Sequence, residues 1–226
     1  MNFIKINNED IKNNELNNNL PLFCFLMFNI NDRNELCTSI NQIAYEFKYK
    51  LNSKNTNGIQ SSIKSELIKM SEKNIISLIP TYNCSSFDDI TNNKLFKIKI
   101  LNYDKNVSLK NNFTVLTYSE YKKILDCKDC GSKVYNMINL FLLIKSYEFT
   151  DESLCLDSIN NMCHKLKFSK TTFSDLTNIL ISNKILYAYT LPDNAIKYNI
   201  KYAFSTKYHN KNEIKNMINN INLKNI

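Results

Sequence analysis

The sequence predicts a mainly helical α+β chain whose β content is confined to small hairpins, built as two similar units in tandem. Three observations predict it. Apolar residues recur at i, i+3, i+4 and i+7 through much of the chain, the spacing that gives a helix one buried face. Short runs rich in β-branched and aromatic residues follow each pair of such helices, as the strands of a hairpin would. The same order of segments then occurs a second time. Only two Gly and three Pro stand among 226 residues, which disfavours Gly-rich phosphate loops and sheets built on many tight turns.

The chain opens with a polar, Asn-rich arm, residues 1–19, expected as a frayed tail or a weak helix. Residues 22–28 are densely apolar and read as the first helix or strand of a core. The apolar run from Leu20 to Phe28 is too short to span a bilayer and has no basic leader directly before it, so neither a membrane anchor nor a secretory signal is expected, and the location is read as cytoplasmic. Thr38 or Ser39 caps a helix whose inner residues are Ile40, Ile43, Ala44 and Phe47. After a polar connector, Asn57 with Gln60 three residues on reads as a capping box for a helix running to about Lys73. Its inner face is Ile59, Ile63, Leu67 and Met70; Gln60, Ser61, Lys64, Ser65 and Lys69 are expected outside. The run EKNIISLIP and residues 94–100 supply two strands, completing a first domain over 20–112. Residues 113–132 read as a connector holding a strand at 113–116 and a short helix at 119–125.

The second domain, 133–210, starts with a helix over 133–147. Asp157 or Ser158 caps the next, with Ile159, Met162, Cys163 and Leu166 inward. A break at Lys167 and Phe168 leads to a second cap, Ser169, and a helix with Phe173, Leu176 and Leu180 inward. Its outward residues are Lys170, Thr171, Thr172, Ser174, Asp175 and Asn178. Strands over 185–190 and 196–204 follow, joined across 191–194. Ile40 and Ile159 are 119 residues apart and Ile75 and Ile185 are 110 apart, so the repeat is a pair of domains and not a short solenoid period. A C-terminal amphipathic helix, 211–226, carries Ile214, Met217, Ile218 and Ile221 on one stripe, facing either the core or a second copy in a homodimer.

The run LDSINNMCHKLKFSKTTFSDLTNILISNKILYAY resembles the winged helix-turn-helix modules of transcription regulators and of plasmid and phage replication initiators. The resemblance implies tandem winged-helix domains in which the second helix of each pair enters the major groove of double-stranded DNA. A formal charge of +8 and a pI near 9.0 agree with a polyanionic partner. Gln60, Ser61, Lys64 and Ser65 in the first domain, and Thr171, Thr172, Ser174 and Asn178 in the second, have the donors and acceptors to read base edges. Lys167, Lys170 and Lys197 are expected at phosphates. The rival reading is a protein-protein adaptor in partition or replisome loading that uses the same exposed helices. The basic residues are nearly all Lys, with Arg33 the one Arg. With the abundance of Asn and Ile, that pattern looks like AT-rich codon usage, so Lys and Asn runs carry little signal of their own.

Catalysis and cofactors are not expected. With only His164 and His209, and no carboxylate four residues from His164, neither a histidine triad nor a histidine metal site is legible. The acidic pairs Asp88-Asp89 and Asp151-Glu152 fall in predicted loops. Seven cysteines suit a reducing compartment, where they serve as small hydrophobes. Cys127 and Cys130 form a CxxC that reads as two free thiols; zinc is the alternative, but no second pair has the right spacing.

Overall fold

The computed structural model describes residues 2–12, 19–51, 56–81, 86–101, 113–148, 154–191 and 200–224. The chain divides into two compact units, Met1–Asn139 and Leu140–Ile226. The fold is mixed α and β with small antiparallel sheets.

The first unit begins with strand β1 (Phe3–Asn7) and the short helix α1 (Asn8–Lys12). The arm expected as a tail or weak helix is therefore mostly a strand at its start. Its residues alternate, with Ile4 and Ile6 buried and Phe3 and Lys5 exposed, as one buried sheet face requires. Helix α2 (Leu20–Asn29) follows; Leu20 to Phe28 are all buried, so it is a helix covered on every side and not an amphipathic one. Then come β2 (Glu35–Thr38), α3 (Ile40–Glu46), α4 (Thr56–Glu72), β3 (Ile76–Pro80) and β4 (Phe96–Ile100). Residues 113–132, expected as a connector, belong to this unit. They hold β5 (Phe113–Thr117), which pairs with β1, and α5 (Tyr118–Leu125), whose Thr117 and Glu120 form a capping box.

Ser39 is the cap of α3, in a reciprocal box with Gln42, and Ile40, Ile43, Ala44 and Phe47 are all buried. The expected box rests on the side chain of Asn57, which lies outside the described residues; Asn57 falls inside α4, and Gln60 is buried. The sheet order β2-β4-β3 places the strand before the helix pair next to the last strand of the hairpin.

Helix α6 (Val134–Tyr147) contains the division between the units. The second unit goes on with α7 (Ile159–Leu166), α8 (Lys170–Ser182), β6 (Tyr187–Thr190), β7 (Tyr202–Ser205) and α9 (Lys211–Lys224). Ser158 and Ser169 cap α7 and α8 by accepting from Asn161 N and Thr172 N. Met162, Cys163, Phe173, Leu176 and Leu180 are buried as the spacing predicts. The strands are shorter than expected, and residues 192–199, with the anticipated turn and Lys197, lie outside the described residues.

The two units repeat at the level of individual backbone groups. Lys48 ends α3 and Lys167 ends α7, both left-handed, at φ 58° and 55°. Tyr49 N donates to Ala44 O at 3.0 Å, and Phe168 N to Cys163 O at 2.9 Å. At the next helix end, Asn74 and Lys184 share φ 56°, and Ile75 N and Ile185 N reach back to Met70 O and Leu180 O at 3.0 and 2.9 Å. Ile98 pairs with Leu36 on one side and Leu78 on the other. Phe204 pairs likewise with Cys155 and Ala188. The expected offsets of 119 and 110 thus mark equivalent positions along the fold.

The stripe on α9 faces the core, one of its two expected settings. Ile214 is buried with Leu154, Leu191 and Ala203, and Met217 and Ile218 pack against that cluster. Those side chains are committed to the second unit's own core; the side chain of Ile221 lies outside the described residues. Among the described residues no helix is long and apolar enough to cross a membrane.

Candidate nucleic-acid interface

A helix in a groove needs one face free of the core and furnished with polar groups. In the second unit α8 has such a face. Lys170, Thr171, Ser174, Asp175 and Asn178 are exposed at i, i+1, i+4, i+5 and i+8, opposite the buried Phe173, Leu176 and Leu180. Lys167 is exposed just before the helix, on the left-handed end of α7. The turn between the helices is short and rigidly closed, since Ser169 Oγ accepts from Thr172 N at 3.0 Å. Thr172 is a partial correction: it is half-buried, and its hydroxyl lies 2.9 Å from Ser169 Oγ, so it serves the cap. Asn178 supplies an amide at the C-terminal end of the stripe, the group that pairs bidentately with adenine. Asp175 is engaged with another group on the protein.

The first unit differs. Gln60 is buried; its Oε1 accepts from Asn92 Nδ2 at 2.8 Å and its amide nitrogen donates to Asn41 Oδ1. It cannot meet a base from there. Lys64 donates to Asp88 O at 2.7 Å and to Ile90 O at 3.2 Å, with its ammonium 5.8 Å from the centre of the Phe87 ring. Asn41 N further donates to Asn92 O at 3.1 Å. Segment 86–93, which includes a single turn of 3-10 helix at Phe87–Asp89, is therefore clasped onto α3 and α4. Among its described side chains, α4 still exposes Ser61, Ser62, Ser65, Lys69 and Glu72, besides Gly58. Sequence spacing misplaced Gln60 and Lys64 because their partners are fixed by a segment some 25 to 30 residues further on.

Residues that the spacing did not single out also flank the second unit's hairpin. Lys184 and Lys201 are exposed, and so is Tyr202. Their signal in the sequence was an alternation too short to separate from the general excess of Lys and Tyr.

The CxxC lies in the first unit. Cys127 and Cys130 are both buried, Cys130 Sγ donates to Cys127 O at 2.9 Å, and Lys48 Nζ donates to Cys130 Sγ at 3.4 Å. Burial pushes the Cys127 thiol up to about 11, away from the thiolate that a metal would need. Among the described residues no three His, Cys, Asp or Glu side chains converge. His164 is exposed, and His209 Nδ1 lies 3.7 Å from Glu213.

No protein-family model matches the chain, and no curated protein matches its sequence.

Proposed function

We propose that the chain is a tandem winged helix-turn-helix protein that binds double-stranded DNA sequence-specifically, in the cytoplasm, in replication initiation or transcription regulation of a plasmid or phage. The observation that carries this reading is the polar stripe of α8, set immediately after a capped two-helix turn and followed by a hairpin. The winged helix-turn-helix order, in which a strand before the helix pair joins the last strand of the hairpin, is matched by β2-β4-β3 and by the bridge from Cys155 to Phe204. In this reading α8 lies in the major groove, Asn178 and Ser174 face base edges, and Lys167, Lys170 and Thr171 meet backbone phosphates. The protein needs no catalytic group for this, and the net charge of +8 favours association with a polyanion.

One observation favours the adaptor reading for the first unit alone. Its α4 has lost Gln60 and Lys64 to the clasp, leaving a face of small hydroxyls with Lys69 and Glu72, which suits a protein partner better than a groove. The first unit is then the docking module and the second the DNA reader.

The test is binding to fluorescent duplexes taken from the DNA beside the gene, titrated across salt. Lys170→Ala/Asn178→Ala should weaken binding by about 10- to 100-fold and flatten the preference for the adjacent sequence. Binding that is weak, indifferent to sequence and unmoved by the double substitution sinks the DNA reading.

A further inference from the structure

The second unit carries a set of groups that the α8 stripe does not use. Segment 206–210, between β7 and α9, has no regular structure, yet it is tied down at almost every residue. Thr206 Oγ1 donates to Glu148 Oε2 at 2.8 Å, and Thr206 N donates to the same carboxylate. Lys207 N donates to Ser205 Oγ at 3.0 Å. Tyr189 OH donates to Lys207 O at 3.4 Å and accepts from His209 N at 2.7 Å. Asn210 closes the segment by capping α9, where its Oδ1 accepts from Glu213 N and Glu213 Oε2 accepts from Asn210 N.

Tyr208 is the residue this scaffold leaves outside. Its backbone is held between anchored neighbours, and the residue is 70% exposed. The ring meets Tyr187 edge to face, with centroids 5.6 Å apart and an interplanar angle of 70°. Tyr187 OH donates to Lys184 O at 3.4 Å, which brings the end of α8 to the same place. An aromatic ring kept in water gains nothing from burial, and a loop needs no such network merely to connect a strand to a helix. The network holds the backbone on either side of Tyr208, which lowers the entropy a ligand must spend in ordering the segment. Lys207 and Lys211 lie one and three residues from Tyr208 in the chain, and Lys184 offers its carbonyl to Tyr187; all three lysines are exposed, and among the described residues no carboxylate pairs with any of them.

We propose that Tyr208, braced by Tyr187 and with Lys207 and Lys211 close to it in the chain, is a stacking platform for an unpaired base of single-stranded nucleic acid. Unpaired bases expose π-faces that stack on aromatic rings whatever their identity, while the adjoining phosphates seek cations; an exposed ring with lysines close to it along the chain meets both needs. A duplex hides those faces in its own stack, so this site is distinct from the α8 stripe and does not depend on it.

The full chain should bind fluorescein-labelled oligothymidine and oligouridine of about 12 nucleotides, within the length that single-strand sites occupy. The two probes distinguish DNA from RNA as the source of the strand. Tyr208→Ala should weaken that binding about tenfold, the size of one lost base stack, and Tyr208→Phe should restore it. Lys184→Gln/Lys207→Gln should lower the steepness of the salt dependence. Duplex binding should stay within about twofold for Tyr208→Ala, whereas Lys170→Ala/Asn178→Ala should spare the oligonucleotides, so either site can fail without the other. Failure of both oligonucleotides to bind overturns the proposal. So does undiminished binding by Tyr208→Ala, since the substituted side chain is exposed and its loss does not threaten folding. A Tyr208 substitution that changes only capture of a protein partner also overturns it.

Discussion

Helices α4 and α8 hold equivalent places in the two units, yet they spend their polar residues in opposite ways. In α8 the stripe from Lys170 to Asn178 faces water. In α4 the residues nearest in role, Gln60 and Lys64, are turned onto segment 86–93 and α3. The cause is the connection between the hairpin strands. In the first unit 15 residues separate Pro80 from Phe96, and part of that length folds back to Asn41, Gln60 and Lys64. A helix pair and a hairpin thus set the frame of a unit, and in the first unit the loop between the strands takes up part of the helix face.

That comparison can be broken most severely in the cores. Met70 and Leu180 are equivalent and fully buried, each receiving a backbone N–H at its carbonyl from the residue five further on. Met70→Ala and Leu180→Ala should each cost about 3 kcal/mol, seen as two separate shifts in chemical denaturation. If both produce one identical transition that abolishes all structure together, the units do not fold with independent stabilities.

A smaller effect singles out the first unit. Burial pushes the Glu66 carboxyl up to about 7, against a hydrogen bond from Tyr135 Oη at 2.6 Å and the nearby Lys69, which both favour the charged form. A raised carboxylate pKa means the folded state holds its proton more tightly than the unfolded chain. Stability from this group is therefore fully present below about 4.5 and is lost as pH rises through about 7. Glu66→Gln keeps an acceptor for Tyr135 and should remove that loss, raising stability at pH 8 by on the order of 2 kcal/mol. Unchanged pH dependence in a denaturation series would refute it.

Next comes the clasp. Gln60→Ala should cost the first unit about 1–2 kcal/mol by stripping partners from Asn41 and Asn92, while Asn178→Ala, on an exposed face, should cost less than about 0.5 kcal/mol. Equal effects on thermal unfolding would place Gln60 at the surface. Least of all, Ser39→Ala and Ser169→Ala should each remove about 1 kcal/mol, with the Ser39 effect the larger because its box is reciprocal.

Periodicity and capping chemistry made most helices legible, since Ile40, Ile43, Ala44 and Phe47, or Ser158 and Ser169, act on neighbours within four residues. Strands β1 and β2 escaped for the opposite reason. The alternation of Ile4 and Ile6 is brief and set in an Asn-rich run, and β2 is four residues long and becomes a strand through its pairing with β4 some 60 residues later. In the candidate interface, Lys170, Thr171, Ser174 and Asn178 could be read because one helix's own phase decides what faces out. Gln60, Lys64 and Thr172 could not, as each is claimed by a partner that helical phase does not report. Tyr208 stands in a run with no periodicity, and only the hydrogen bonds around it set it apart.

The left-handed helix ends have a practical consequence. Lys48, Lys167, Asn74 and Lys184 occupy a conformation that glycine adopts without penalty and that costs an L-residue about 1–2 kcal/mol. The molecule is therefore under local backbone tension at four matched joints, in a chain with two glycines. Replacing Lys48 and Lys184 by glycine would relieve it at both kinds of joint, and offers a route to a sturdier variant for laboratory use that leaves the α8 stripe untouched.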